Sequence, residues 1–95
     1  MRIAGVAWIA SIVEKLESKH GVSMEEVEDV LADRPRFRFV ERGHRTGENV
    51  YVAFGRTRGG RRLVVFFVYK PRTREALILS AREPSRWEQK LYEKK

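Results

Sequence analysis

The amino-acid sequence predicts an α+β fold with two N-terminal helices, a four-stranded antiparallel meander sheet and a short C-terminal helix. Two observations support this prediction. Apolar residues recur with helical spacing before Pro35 and alternate with polar residues after it, and turn residues separate the alternating segments. With 95 residues, of which 42% are hydrophobic, the chain is expected to form a single domain over residues 1–95, with the helices covering one face of the sheet.

Two helices are predicted before Pro35. The first spans residues 4–20 and ends at Gly21, because apolar side chains recur at intervals of three and four residues. These side chains are Ile9, Ile12, Val13 and Leu16. Ser23 and Glu26 match the S-x-x-E capping box and open the second helix. The very short connection between the two helices predicts a helical hairpin.

Four strands are predicted in the second half of the chain from residues that favour a pleated, half-buried surface. They cover residues 36–40, 49–54, 63–69 and 76–81. Gly59-Gly60 fits a two-residue hairpin turn between the second and third strands. The third strand is apolar on both faces, which places it centrally. The last helix is predicted to begin near Pro84 or Ser85.

Charge is distributed unevenly along the chain, which carries 20 Lys+Arg and 13 Asp+Glu for a formal net charge of +7. Residues 1–33 have a net charge of −4, whereas residues 34–74 carry twelve bases and two acids, a net charge of +10. Two acids cannot neutralise twelve bases locally, so a polyanionic or acidic partner is favoured. The Arg-rich surface with few Asn and Gln resembles the usage of thermophile proteins; the alternative is a bias in genomic base composition.

Composition also excludes several function classes. The chain has no Cys and only two histidines, His20 and His44, which removes disulfides, thiol nucleophiles and cysteine-ligated zinc. We therefore expect no metal and no other cofactor. No run of about 20 apolar residues could span a membrane, and the apolar run after Arg2 lacks a clean cleavage site. A cytoplasmic location is expected.

Arginines of the predicted sheet are the first candidate functional feature. Alternate residues of a strand lie on one face about 6.6–6.8 Å apart, which is similar to the phosphate repeat of a nucleic-acid strand, and Arg is suited to forked recognition of phosphate. The predicted RNA-binding residues are Arg34, Arg36, Arg38 and Arg42, expected in one row, and Arg56, Arg58, Arg61 and Arg62 near the Gly59-Gly60 turn. The alternative is a solvated face on which arginine stems cover apolar surface.

The Lys19-His20-Gly21 string is the second candidate feature. Histidine titrates near neutral pH and can take a proton from a hydroxyl group. The alternative is structural, because the C-terminal carbonyls of a helix favour Lys and His by about 0.3–1 kcal/mol. His44 is expected to be exposed in a loop without a catalytic role.

The third candidate feature is the junction between the last strand and the last helix. Arg82 lies where the strand ends, and Glu88 and Tyr92 share one face of the helix because they are four residues apart. A catalytic role requires Arg82 to project from the sheet. The alternative is an Arg82–Glu88 ion pair that holds the last helix, with Tyr92 packed at its end.

Taken in order, these residues resemble the BrnT family of toxins. The most specific matches are the K-H-G-V-S string that begins at Lys19, the S-A-R string that ends at Arg82, and the E-x-x-x-Y string from Glu88 to Tyr92. The other matching positions are Trp8, Glu25-Glu26-Val27, Asp33, Gly47-Glu48, Tyr51, Gly55 and Leu63-Val64-Val65. The resemblance therefore covers nearly the whole chain.

The resemblance implies a RelE-like fold and a metal-independent endoribonuclease that arrests translation as the toxin of a type II toxin–antitoxin pair. It implies RNA as the substrate and a BrnA-like ribbon-helix-helix antitoxin as the partner; a homodimer is a further expectation. The site candidates that it implies are Lys19, His20, Arg82, Glu88 and Tyr92, with Glu48 as a weaker one.

Cleavage of RNA without a metal needs a base for the 2′-hydroxyl, cations for the phosphorane and an acid for the departing 5′-oxygen. We hypothesise that His20 transfers protons and that Lys19 and Arg82 stabilise phosphate charge. Glu88 would orient Arg82 or assist proton transfer, and Tyr92 would stack on a nucleotide or hydrogen-bond to it. The acid and base assignments remain interchangeable.

The first helix departs from the family pattern W-D-x-x-K-x-x-x-N, because the matching polar positions hold Ile9, Ile12 and Leu16. That helix is expected to pack differently and to lose any role of the polar groups. The alternative function is a non-catalytic basic domain, a divergent and inactive toxin homologue that binds nucleic acid or a protein partner.

Overall fold

The computed structural model of the chain describes residues 1–93 and has an α+β architecture built on a five-stranded sheet. Its elements are β1 (Gly5–Ala7), α1 (Ala10–Lys15), a π-helical segment (Leu16–His20), α2 (Met24–Ala32), β2 (Arg36–Glu41), β3 (Val50–Arg56), β4 (Arg62–Lys70), β5 (Glu75–Arg82) and α3 (Arg86–Glu93). The strand order is β1-β5-β4-β3-β2. The last four strands form the predicted antiparallel meander.

The sheet has a fifth strand, β1, where the sequence predicts the start of a helix. Val6 lies opposite Ala76 in a parallel pair with β5, and the Ala4 N–H donates to the Arg74 carbonyl at 2.7 Å. The prediction of four antiparallel strands is wrong in this detail, since the sheet is mixed. A strand of three residues is too short to show alternation, and the periodicity of a short apolar run cannot distinguish a strand from a segment of buried helix.

The first helix is shorter than predicted, because it begins at Ala10. It continues as the π-helical segment and ends at Gly21, whose φ of 59° is the left-handed conformation that glycine adopts at least cost. The Val22 N–H donates to the Leu16 carbonyl at 3.0 Å and closes this end. Leu16 is buried whereas Ile9 is 43% exposed, so the deepest contact with the core comes from the π-helical segment.

The second helix begins and ends close to where its sequence pattern predicts. The Ser23 hydroxyl accepts a hydrogen bond from the Glu26 N–H at 3.1 Å, and the Ser23 N–H donates to the Glu26 carboxylate at 3.1 Å. The predicted capping box is therefore confirmed. Val27 and Val30 are fully buried, so α2 covers the sheet with an apolar face.

The main hydrophobic core lies between these helices and one face of the sheet. Phe67, near the centre of β4, is fully buried and packs edge-on against Phe37, with ring centroids 6.0 Å apart. The other buried members are Leu16, Val22, Val27, Val30, Ala53, Leu63, Val65, Ala76, Ile78 and Ala81. The prediction that the third meander strand is central is confirmed, because β4 lies between β3 and β5.

The C-terminal helix α3 packs on the opposite face of the sheet, so the prediction that the helices cover one face is wrong. The Tyr92 ring stacks on Phe54 with centroids 5.4 Å apart. Phe54 belongs to a second apolar cluster with Val52 and Val64. The sequence shows that a helix has an apolar side, but it does not show which sheet face that side contacts.

The connection between β3 and β4 is longer than the predicted two-residue turn. Arg56 pairs with Arg62, so residues 57–61 form the loop. The Thr57 N–H donates to the Arg61 carbonyl at 2.9 Å, and the Arg61 N–H donates to the Thr57 hydroxyl at 3.1 Å. The buried Thr57 therefore closes the loop with local hydrogen bonds that a two-glycine pattern does not reveal.

Candidate functional site

One face of the sheet carries many of the arginines that the sequence analysis selects. The register places Arg36 opposite Phe54 and Arg38 opposite Val52, on the side that α3 partly covers. We call this side the basic face, and its defining side chains are Arg36, Arg38, Arg56, Arg62 and Arg82. Together they make the face cationic and suited to an anionic partner.

The predicted row of arginines along β2 is shorter than expected. Arg34 precedes the strand and has a φ of 49°, and a register shift near the end of β2 interrupts the alternation before Arg42. Arg36 and Arg38 therefore share the strand face at the predicted spacing, whereas Arg34 and Arg42 lie in the flanking connections.

Helix α3 is held on the basic face by aromatic and ionic contacts. The Arg38 guanidinium lies 5.5 Å from the centroid of the Tyr92 ring, and the same ring stacks on Phe54. Arg62 donates to Gln89 at 3.2 Å and pairs with Glu93 at 3.0 Å. Tyr92 is half-buried in this arrangement, as the structural alternative for this residue expects.

Arg82 and Glu88 form a two-pronged ion pair at the start of α3. Arg82 Nη1 and Nη2 donate to the two carboxylate oxygens of Glu88 at 2.7 and 2.9 Å. The guanidinium also lies 5.7 Å from the centroid of the Phe66 ring. The Ser85 N–H donates to Glu88 at 2.8 Å, and the Ser85 hydroxyl accepts from the Glu88 N–H at 3.1 Å. The side chain of Arg82 is thereby fixed against the sheet.

This ion pair sets the charge of Glu88. Hydrogen bonds from Arg82 lower the pKa of Glu88 to about 2 against the opposing effect of burial, and the hydrogen bond from the Ser85 N–H adds to the lowering. The same contact with Glu88 raises the pKa of Arg82. Glu88 is therefore a carboxylate at neutral pH, which suits it to orienting Arg82 and not to donating a proton.

Lys19 and His20 lie at the end of the π-helical segment, in the helical layer that covers the sheet face opposite to the basic face. Both are exposed, and the structure records no side-chain hydrogen bond or ion pair for either residue within residues 1–93. The His20 carbonyl accepts a hydrogen bond from Arg61 Nη2 at 3.1 Å. The imidazole of His20 is therefore accessible to a ligand.

Arg61 places His20 and Arg82 at the same end of the sheet. Its Nε donates to Glu83 at 2.8 Å, and Glu83 follows Arg82 directly in the chain. Among the described residues, no hydrogen bond joins His20 to Arg82 or Glu88. The structure thus brings Arg82, Glu88 and Tyr92 together on the basic face and leaves Lys19 and His20 around the end of the sheet.

Two of the predicted RNA-binding arginines contact acidic side chains. The Arg58 N–H donates to Asp29 at 3.1 Å, and its guanidinium lies 4.0 Å from the same carboxylate with the side chain 94% exposed. Arg61 contacts both Glu26 and Glu83. Within residues 1–93, the structure records no carboxylate partner for Arg56.

Glu48, the weaker candidate, lies at the far end of the sheet from Arg82. It pairs with Lys70 at 3.5 Å, beside a cavity of about 500 Å³ whose rim includes Arg42 and His44. The apolar residues that line this cavity are Val50, Val68, Leu77 and Leu79. Glu48 is therefore separate from the Arg82–Glu88 pair.

The part of the chain from residue 1 to 93 shows no group of three or more His, Asp or Glu side chains that could hold a metal ion. Over the same range, no helix is long and apolar enough to cross a lipid bilayer.

The fold and the site define a small basic α+β protein whose arginine-rich sheet face is suited to a polyanion. A family model described as the ribonuclease toxin BrnT of type II toxin–antitoxin systems matches residues 11–88. The chain belongs to the BrnT family, which confirms the resemblance drawn from its sequence strings. The match includes Lys19, His20, Arg82 and Glu88 and ends before Tyr92. No curated relative matches the chain.

Sequence reasoning missed the contacts that two residues make in the site. Ser85 caps α3 through Glu88, and its S-x-x-E pattern is the same one that located the start of α2. Arg61 was expected to bind RNA, and its contacts with Glu83 and His20 have no sequence pattern, because these partners lie 22 and 41 residues away.

Proposed function

We propose that this protein is an endoribonuclease that cleaves RNA without a metal ion and thereby inhibits translation. Membership of the BrnT family supports the ribonuclease class. The observation that carries the proposal is the Arg82–Glu88 pair on the basic face. Arg82 has five N–H donors, of which Glu88 and the Glu83 carbonyl take three. Two donors in a fixed orientation remain for a phosphate.

The proposed reaction joins the 2′-oxygen of a ribose to the adjacent phosphorus and breaks the bond from phosphorus to the 5′-oxygen. A base takes the proton of the 2′-hydroxyl, and an acid gives a proton to the departing oxygen. His20 is the proton-transfer group, because its imidazole is exposed at the same end of the sheet. Lys19 and Arg82 stabilise the charge of the phosphorane, and Glu88 orients Arg82.

The basic face provides a path for the rest of the RNA strand. Arg36, Arg38 and Arg56 are exposed on it, and the half-buried Tyr92 lies beside Arg38. Engagement of four phosphates of a single strand predicts roughly 50-fold weaker binding between 50 and 200 mM salt. For His20 to reach the phosphodiester bond that is cut, the RNA strand must pass from the basic face around the end of the β-sheet.

The separation of His20 from the Arg82–Glu88 pair favours a second candidate function. In that alternative the protein is a non-catalytic, divergent member of the family that binds nucleic acid or a protein through the basic face. Arg82 then serves to hold α3, and His20 ends its helix. The two candidates differ in whether bound RNA is cut.

A type II family also implies an antitoxin partner. We propose that this partner is a ribbon-helix-helix protein that covers the basic face and so excludes RNA. Expression of the chain alone should arrest growth, and co-expression of a neighbouring ribbon-helix-helix protein should relieve the arrest. Binding of that protein should also abolish RNA binding in a purified mixture.

The cleavage test uses purified protein and total RNA with and without a chelator. We expect cleavage in both conditions, and a loss of at least about 100-fold in His20→Ala and Arg82→Ala, because each removes a group that contacts the transition state. His44→Ala is the matched control for histidine and Arg72→Ala for arginine, since both residues are exposed and lie outside the site.

The possible outcomes of the cleavage test bear on the site residues, on metal independence and on the choice between the two candidate functions. Cleavage that both site variants retain would remove His20 and Arg82 from the mechanism. Cleavage that the chelator abolishes would contradict metal independence. Salt-sensitive binding of RNA with no cleavage and no growth arrest would favour the non-catalytic alternative.

A further inference from the structure

Arg61 connects three separate segments of the chain through its guanidinium group. Nη2 donates to the His20 carbonyl at 3.1 Å, and Nη1 donates to the Gly21 carbonyl at 2.8 Å. Nη1 also lies 3.1 and 3.2 Å from the carboxylate oxygens of Glu26, and Nε donates to Glu83 at 2.8 Å. These partners belong to the end of the π-helical segment, to α2 and to the connection between β5 and α3.

These contacts make Arg61 a poor ligand for phosphate. Every nitrogen of its guanidinium has a protein acceptor, and the carboxylates of Glu26 and Glu83 flank it, so its positive charge is already paired within the protein. Hydrogen bonds to Glu83 and Glu26 raise the pKa of Arg61 although burial alone would lower it. A phosphate would have to displace a carboxylate or approach two of them. Arg56, at the end of β3, has no such carboxylate partner within the described residues.

The two carbonyls that Arg61 binds are the ones that a helix leaves without partners at its C-terminal end. Gly21 has a left-handed φ of 59°, and Val22 immediately after it is fully buried. The chain therefore turns sharply here, and two backbone hydrogen bonds, from the Gly21 and Val22 N–H groups to the Leu16 carbonyl, close the turn. Arg61 fixes the outer side of the same turn against Glu83.

We propose that Arg61 is a positioning residue that holds the Lys19-His20 turn at a fixed place relative to Arg82, and that it does not bind RNA. The inference rests on the proposed function, because it assigns Arg61 to the placement of the proton-transfer group. It acts through His20 and Glu83 and touches neither the substrate nor the reacting atoms.

Loss of this contact should lower the rate of cleavage more than the affinity for RNA. A displacement of a catalytic group by about 1 Å can cost about 100-fold in rate, so Arg61→Gln should reduce kcat by about 10- to 100-fold with little change in KM. The affinity for a 2′-deoxy oligonucleotide, which cannot be cut, should stay within about 2-fold of the wild type, with the same dependence on salt.

Arg56→Gln provides the contrast, because Arg56 is an exposed arginine at the end of the neighbouring strand. This variant should weaken binding of the 2′-deoxy oligonucleotide and make the slope of log affinity against log salt shallower by about 0.7, the value for one phosphate contact. Arg72→Gln, in an exposed turn outside the site, is the neutral control for both measurements.

Glu83→Gln keeps the test informative if Arg61→Gln does not fold. The Glu83 side chain is 63% exposed, so its replacement should leave the core intact, and the variant should show a smaller loss of kcat in the same direction. Arg61→Lys should rescue part of the rate, because lysine retains one charged donor but cannot reach all the acceptors. The double variant Arg61→Gln/Glu83→Gln should lose less than the product of the single losses.

Hydrogen exchange measured by NMR tests the positioning without any cleavage. Arg61→Gln should accelerate amide exchange at residues 19–22 and leave exchange in β4 unchanged. Unchanged exchange at residues 19–22 would overturn the proposal even if RNA is cut. The proposal would also fail if the salt dependence of oligonucleotide binding became as shallow in Arg61→Gln as in Arg56→Gln. If the wild type does not cut RNA, the proposed function fails, and faster exchange at residues 19–22 still supports the contact.

Discussion

Replacement of Glu88 by glutamine tests how the C-terminal helix is held, because it removes one charge and leaves the shape of the side chain almost unchanged. Glu88 accepts hydrogen bonds from both terminal nitrogens of Arg82 and one from the Ser85 N–H. Glutamine has a single acceptor oxygen, so the two-pronged contact is lost. The expected result is a lower free energy of unfolding with the same fold.

The pKa of Glu88 sets the size of this effect. Its fall from 4.5 to about 2 corresponds to an upper limit of about 3 kcal/mol at about 1.4 kcal/mol per unit. Arg82 is 38% exposed, and solvent screening reduces the expected loss to about 1–2 kcal/mol. Because the pKa is lower in the folded state, this stabilisation is complete above about pH 4.5 and is lost as the pH falls towards 2.

Urea unfolding of the wild type and Glu88→Gln at several pH values measures this loss. The two proteins should differ by about 1–2 kcal/mol at neutral pH and converge in acid. Glu93→Gln is the matched control on the same helix, since its pair with Arg62 is 35% and 40% exposed and should contribute less than about 1 kcal/mol. If the difference in unfolding free energy between the wild type and Glu88→Gln stays constant down to about pH 2.5, the lowered pKa of Glu88 does not come from its pair with Arg82.

Three further substitutions test the fold, each by urea unfolding of the purified protein. Phe67→Ala should cost about 3–5 kcal/mol, because it opens a cavity in the main core; a cost under about 1 kcal/mol would contradict the central position of Phe67. Ser85→Ala should cost about 1 kcal/mol through loss of the cap of α3, and unchanged stability would mean that the cap is not formed. Gly43→Ala should cost about 1–3 kcal/mol, since a Cβ there would overlap the Glu48 carbonyl oxygen; an unaltered midpoint would show that this close approach is absent.

Local sequence patterns predicted the parts of the fold that depend on neighbouring residues. The capping box of Ser23 and Glu26 forms as expected, and the alternating segments become the four strands of the meander. The spacing of Arg82 and Glu88 also allowed their ion pair to be anticipated as the structural alternative. In each case the interacting groups lie within a few residues or in one regular element.

The features that were missed depend on contacts between distant segments. Whether residues 5–7 form a strand is decided by the free edge of β5, which begins at Glu75. The face that α3 covers is decided by the contact of Tyr92 with Phe54. The role of Arg61 depends on acceptors supplied by three segments, so no spacing within the sequence could indicate it.

The contact of α3 with the sheet determines whether Arg62 and Arg82 of the basic face are paired with carboxylates. The helix has no fully buried residue, and it rests on a small apolar cluster distinct from the main core. Opening of this helix would withdraw the carboxylates of Glu88 and Glu93 from Arg82 and Arg62. Local opening of one short segment would therefore add two unpaired cations to the surface and bare the Phe54 ring, while the rest of the molecule stays folded.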